Sequence, residues 1–250
     1  MDWSKAKTIL ILAFLALNLF LVYQLLQART EQNRDGQTSN TREELNQLAE
    51  ERQIILKAKV PEETSQPQVN YLQVRPIKFH EPWKLNPDGT WTRAFNPPVT
   101  ASGDRKKILS RYVDKVDRYV LQPDESTRER QVYYQQWDKR PLFDGRLVAE
   151  WKGRDRLAAI HQSRFKVTSQ KSSTERVGVT ATTALMSLIE KELISKGDTV
   201  LDIRLGYHGQ SYDGNVRVLS PVWRIRTKHQ TFYVNAFNGG IESSKSENQR

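Results

Sequence analysis

Apolar residues crowd the start of this chain and recur in short periods through the rest. From Thr8 to Leu26, nineteen residues carry no formal charge. That is about 28 Å of helix, close to the ~30 Å hydrocarbon core of a bilayer. Lys5 and Lys7 precede the run, whereas the charges between Arg29 and Asp35 balance. This asymmetry predicts residues 1–7 as a cytoplasmic tail, 8–26 as a transmembrane helix and the bulk of the chain as extracytoplasmic, a single-pass protein of the cell membrane. An uncleaved anchor is expected, because bulky Leu26 two places before Ala28 spoils a small-x-small cleavage site.

Residues 27–40 read as a polar stalk and 41–122 as a small α+β unit. Thr41 and Glu44 have capping-box spacing, and Leu45, Leu48, Arg52 and Ile55 recur at helical intervals up to about Lys59, where Pro61 stops the pattern. Tyr71–Val74 alternates like a strand. Asn86-Pro87-Asp88-Gly89 turns a hairpin between Trp83–Leu85 and Thr90–Phe95, ended by Asn96-Pro97-Pro98. Ile108, Leu109, Tyr112, Val113 and Val116 predict a helix over 104–119. Pro123-Asp124-Glu125-Ser126 marks the boundary to a second α+β unit, 123–242. There, strand patterns cover 131–137, 146–151 and 156–167, and a helix over 180–195 buries Ala184, Leu185, Leu188, Ile189 and Leu193. Strands follow at 199–206, 216–227 and 231–237. The fold class predicted is α+β: a single transmembrane helix, then antiparallel sheets each packed with a helix, β-β-β-α-β-β-β in the second unit. Residues 243–250 read as a disordered tail.

Composition narrows the chemistry. Absence of cysteine removes disulfides, thiolate metal sites and thiol nucleophiles. The net charge of +10 is uneven, with 18 Lys plus Arg against 11 Asp plus Glu over 101–180. Behind a membrane anchor, that surplus argues against nucleic acid and leaves solubility, or an envelope-binding module for an anionic wall polymer, as its readings.

No pair among His80, His161, His208 and His229 has zinc-helix spacing, and neither GxSxG nor GxGxxG occurs. Ser211, near His208, reads as part of a Gly-flanked loop without an oriented base. Asp202 and Glu192 have no reason to face each other across a cleft, and Asp88-Gly89 lacks the acidic spacing of a calcium loop. The expectation is a non-enzyme without metal or cofactor. Asn18 is the one amide between Ile9 and Val22, and Phe14, Asn18, Leu21 and Leu25 share one helical stripe. An amide there either bonds its own backbone or pairs with a partner helix, so this stripe is the candidate partner-binding site.

The opening Met1-Asp2-Trp3-Ser4-Lys5, with Lys7-Thr8-Ile9 and Leu17-Asn18-Leu19-Phe20-Leu21-Val22-Tyr23, resembles the start of the YycI (WalI) family. Pro221-Val222-Trp223-Arg224-Ile225 and Tyr233–Glu242 extend the likeness, and the latter is also similar to PepSY-like modules. The resemblance implies an α+β regulator without catalytic residues. It would act with the sister protein YycH to restrain the sensor histidine kinase WalK (YycG) of a cell-wall two-component system, with contacts through transmembrane helices.

Overall fold

A computed structural model describes residues 3–31, 37–61, 69–100, 103–171, 178–209 and 216–245. The chain divides into a unit of Met1–Gln47 and a larger one of Leu48–Arg250.

The first unit holds helix α1, Trp3–Glu31, and most of helix α2, Gln37–Glu51. Side chains from Leu10 to Gln24 are all exposed. Among the described residues, no helix is long and apolar enough to cross a membrane. The expected transmembrane helix over 8–26 is corrected accordingly, and with it the single-pass topology, the cytoplasmic tail and the extracytoplasmic placement. Helix α2 starts four residues before Thr41, so that residue does not cap it. The helix also stops well before Pro61, because Gln53 turns left-handed at φ 56°. Ile55 and Leu56 then form β1.

In the larger unit the strands are β2 (Tyr71–Pro76), β3 (Lys84–Leu85), β4 (Trp91–Thr100), β5 (Tyr119–Leu121), β6 (Arg130–Trp137), β7 (Arg140–Lys152), β8 (Arg156–Gln162) and β9 (Phe165–Lys171). Helix α3, Arg105–Leu109, lies between β4 and β5. After helix α4, Ala181–Glu190, come β10 (Thr199–His208), β11 (Arg217–Thr227), β12 (Gln230–Asn235) and β13 (Ile241–Lys245). One pairing path runs β13-β12-β11-β10-β7-β8-β4-β3, with β5 on β6 and β6 on β7. Strand β2 lies between β9 and the start of β11.

The α+β class stands, with two departures. The sheet is mixed, since β1 runs parallel to β10 and β10 meets β7 in parallel at Tyr207 and Leu142. The second unit's expected order gains a strand on each side of its helix: Ser163 and Arg164 split 156–167 into β8 and β9, and β13 extends from Ile241 to Lys245. Strands on the two sides of residue 123 pair throughout, β4 with β8 and β2 with both β9 and β11.

Local chemistry explains the helix ends. Asp104 caps α3 by accepting from the Lys106 N–H at 2.9 Å, and the chain leaves α-geometry after Leu109. Ile108, Leu109, Val113 and Val116 still enter a core with Tyr133, Leu147, Trp151 and Ile160. Thr180 caps α4 through the Thr183 N–H. That helix ends at Glu190, because Glu192 adopts φ 55°, and Leu193 stays exposed. Ala184, Leu185, Leu188 and Ile189 are buried as their spacing predicts.

Gly206 permits a close approach in the sheet. A Cβ there would lie 2.6 Å from the Pro141 carbonyl oxygen and from the Phe143 ring, beside the parallel meeting of β10 and β7.

Candidate functional site

Two polar assemblies lie on the face of β10–β13 where β10 and β11 carry charge at alternate positions. Asp202 and Arg204 sit on β10, and Arg224 and Arg226 on β11. Strand periodicity turns these side chains to one face while Ile203 and Ile225 enter the opposite one. The short 3-10 turn Pro123–Glu125, between β5 and β6, brings Asp124 and Glu125 onto the charged face.

Arg224 is 1% exposed. Its Nη2 donates to Asp202 Oδ2 at 2.6 Å and its Nη1 to the Tyr134 hydroxyl at 3.0 Å. Nη1 also sits 2.7 Å from Glu125 Oε1, near enough to pair though off the line of a hydrogen bond. The guanidinium lies 4.7 Å from the centre of the Phe143 ring and 5.1 Å from that of Tyr134. Arg226 Nη2 donates to Asp124 Oδ2 at 2.5 Å. Arg204 donates to Asp202, Asp124 and the Gln122 amide oxygen. Three arginines thus face three carboxylates. Burial works against the Arg224 charge, but Tyr134, Glu125 and Asp202 outweigh it and raise its pKa above the ordinary value. Burial also pushes the Tyr134 phenol up to about 12, so it remains a neutral donor to Glu125 Oε2.

The second assembly flanks a cleft of about 460 Å³. His208, at the end of β10, shares a hydrogen bond from Nδ1 with Asp144 Oδ1 on β7 at 2.8 Å. Asp144 Oδ2 accepts from the Gly209 N–H at 3.0 Å. The imidazole stacks on Tyr233 of β12, centroids 3.9 Å apart and planes 14° from parallel, and its Nε2 lies 3.6 Å from Glu242 of β13. Burial disfavours the imidazolium, but the hydrogen bond to Asp144 and the charges of Asp144 and Glu242 override that and raise its pKa above 6.5. A histidine raised on folding stabilises fully below its unfolded value, and that stability is lost as pH rises through the folded value. Denaturant titrations from pH 5.5 to 9 are therefore expected to show the wild type losing stability above about pH 6.5 relative to His208→Gln. Parallel curves would dismiss the coupling.

The sequence-predicted stripe belongs to α1, in the first unit. Phe14 and Leu21 are exposed, at 66% and 50%. Asn18 Nδ2 donates to the Phe14 carbonyl at 3.0 Å, the bond to its own backbone that a lone amide can make. Leu25 lies in α1, and its side chain falls outside the described residues.

Ser211 also lies outside the described residues. Asp202 and Glu192 do not face one another: the first joins the arginine array and the second pairs with Arg52 at 2.7 Å. His161 shares a hydrogen bond with Thr92, and Asp88 closes its own hairpin turn through Thr90. Among the described residues no cluster of His, Cys, Asp and Glu could hold a metal ion. Sequence reasoning missed the array. Its signal was the alternation Asp202-Ile203-Arg204 and Arg224-Ile225-Arg226 inside otherwise apolar strands, which demands partners for charges turned inward.

A family model described as YycI protein matches residues 31–237. No curated protein matches the sequence. Among solved structures, the chain is similar to an uncharacterized protein from Eubacterium rectale ATCC 33656, at 10% identity and TM-score 0.44, over 77% of this chain and 86% of that one. It is also similar to the Bacillus megaterium YpeB C-terminal domain, at 11% identity and TM-score 0.35, over 82% and 97%.

Proposed function

Because the chain belongs to the YycI family, we propose that it is a non-catalytic regulator that acts with the sister protein YycH to restrain the sensor histidine kinase WalK of a two-component system. The observation that carries this reading is the family match across residues 31–237. A restraining protein needs only unequal affinity for two kinase states, and a difference of ~1.4 kcal/mol changes their ratio tenfold. Deleting the gene with YycH intact is expected to raise transcription of the kinase's cell-wall regulon, and complementation to restore it. Unchanged transcript levels would sink the reading.

The proposed contact with WalK and YycH is the stripe Phe14, Asn18, Leu21 and Leu25. It is supported by exposed apolar side chains on one helix, the surface an amphipathic groove or a partner helix takes up. Asn18 would fix the register, with Nδ2 held by Phe14 and Oδ1 accepting from the partner. One such bond is worth roughly 0.5–1.5 kcal/mol. Asn18→Leu is therefore expected to lower two-hybrid signal with full-length WalK or YycH several-fold at equal expression, whereas Leu12→Ile, off the stripe, keeps it. Equal signals for both variants would move recognition to the larger unit.

A further inference from the structure

We propose that the cleft beside His208 is a binding site for a primary ammonium group carried on a short apolar stem, with Glu242 as its counter-ion. The cavity, about 460 Å³, lies within the ~300–1,000 Å³ of small-ligand sites. It is built on paired strands, β10 to β13, and such elements hold a binding group more precisely than a loop does. Its apolar lining comes from Val218, Val222 and Ile241, and besides His208 and Tyr233 its polar groups are Ser220, Asn235, Asn238 and Glu242. Val218 is 47% exposed while Val222 is buried, so the apolar wall continues from solvent into the sheet.

The sign of charge selects the ligand. The chain carries 39 Lys and Arg, yet among the described residues none lines this cleft. The negative groups do not cancel. Both oxygens of Asp144 are engaged, by His208 and by the Gly209 N–H. Glu242 is 3.6 Å from His208 Nε2, beyond hydrogen-bond length, and its side chain is 45% exposed. One imidazolium between two carboxylates leaves one negative charge, and a neutral imidazole leaves two. An ammonium would donate to Glu242 and to the Ser220 hydroxyl or Asn235, while its stem covers Val218 and Ile241. A carboxylate or phosphate ligand would meet Glu242 with no Lys or Arg among the described lining residues to offset it.

His208 makes the site pH-dependent. The groups facing it are Asp144 from β7, Glu242 from β13 and the Tyr233 phenol from β12, which burial keeps neutral. On β11, Ser220 pairs with His208 and is uncharged, and Arg224 further along is committed to Asp202 and Glu125. Two cations beside one Glu242 repel, so affinity for an ammonium rises as His208 loses its proton.

The test titrates the full chain with Nα-acetyl-lysine amide, cadaverine and, as uncharged and anionic controls, Nα-acetyl-norleucine amide and Nα-acetyl-glutamate. Imidazole and backbone resonances around 208–209 and 241–242 provide the readout. Saturable shifts for the two amines are expected, at least tenfold weaker in Glu242→Gln. Apparent affinity should strengthen from pH 6 to 8.5 in the wild type but not in His208→Gln. Equal binding of the norleucine compound, or amine binding untouched by Glu242→Gln, would overturn the proposal. So would the absence of shifts at 20 mM amine in wild type with the native spectrum intact. A Glu242→Asp variant, folded with partial binding, separates loss of the charge from loss of the fold. None of these outcomes depends on the regulatory reading.

Discussion

Arg224→Met is expected to lower the unfolding free energy by roughly 3–5 kcal/mol, measured by urea denaturation. The methionine removes the one cation that meets Asp202, Glu125 and the Tyr134 hydroxyl together. Its loss leaves Glu125 with only the Tyr134 hydroxyl and Asp202 with only Arg204, and that lost compensation, more than the lost bonds, sets the size of the effect. The discriminating comparison is the triple variant Arg224→Met, Asp202→Leu, Glu125→Met. Replacing Arg224 together with the two carboxylates it meets is expected to recover part of the stability, since buried ion pairs seldom outdo a well-packed apolar replacement and Arg204 and Arg226 keep Asp124. A single variant within 1 kcal/mol of wild type would mean that water reaches the array and solvates the orphaned carboxylates.

Trp151→Ala is expected to cost roughly 3–5 kcal/mol, on the scale of other buried tryptophan truncations. Trp151 is buried at the end of β7, in the core with Leu109, Tyr133, Leu157 and Ile160. The Arg105 guanidinium lies 4.5 Å over its ring, while its nitrogens donate to the carbonyls of Arg128 and Arg154. The indole therefore supports a staple between α3 and two turns as well as filling volume. Arg105→Lys separates the two roles: it keeps the cation over the ring but cannot reach both carbonyls, and is expected to lose about 1 kcal/mol. A loss below 1 kcal/mol for Trp151→Ala, by denaturation followed by far-UV circular dichroism, would show that the site collapses onto the cavity.

Periodicity in the sequence located most longer strands of the larger unit and the buried face of α4, but it read β1 as helix, missed β5 and started β7 six residues late. The elements it located are those whose residues answer to a local rule: alternation for β6, β7 and β11, and i, i+3, i+4 spacing for Ala184, Leu185, Leu188 and Ile189. Helix ends were less legible. Gln53, Lys115 and Glu192 adopt positive φ, and nothing in their own chemistry announces it. The partition at residue 123 marked a real turn, but Asp124 and Glu125 are held by arginines about 80–100 positions later. No local window contains that pairing. The membrane span predicted from the uncharged run was the largest departure, since length and charge alone do not measure what the described helix offers. Of the cleft, His208 was noticed and set aside. Asp144 and Glu242 converge on it only through the sheet order β13-β12-β11-β10-β7.

The order in which strands pair differs from the order in which they are made. Strand β1 pairs with Thr199 and Val200, and β2 with Leu219 and its neighbours, partners about 145 residues downstream. At ~5–20 residues per second, the ribosome exposes β1 and β2 for roughly 7–30 s before those partners exist. Until β9 is made, about 95 residues after β2, Leu72 and Val74, fully buried in the finished sheet, present an apolar strand to whatever lies nearby, and the β11 side of β2 stays open for the rest of the interval. The charged neighbour Arg75 and the proline that ends β2 are the features that blunt such an edge. Completion of this fold thus waits on its own carboxyl-terminal third, and a nascent chain stalled before β11 leaves one side of β2 and of β10 without its partner strand.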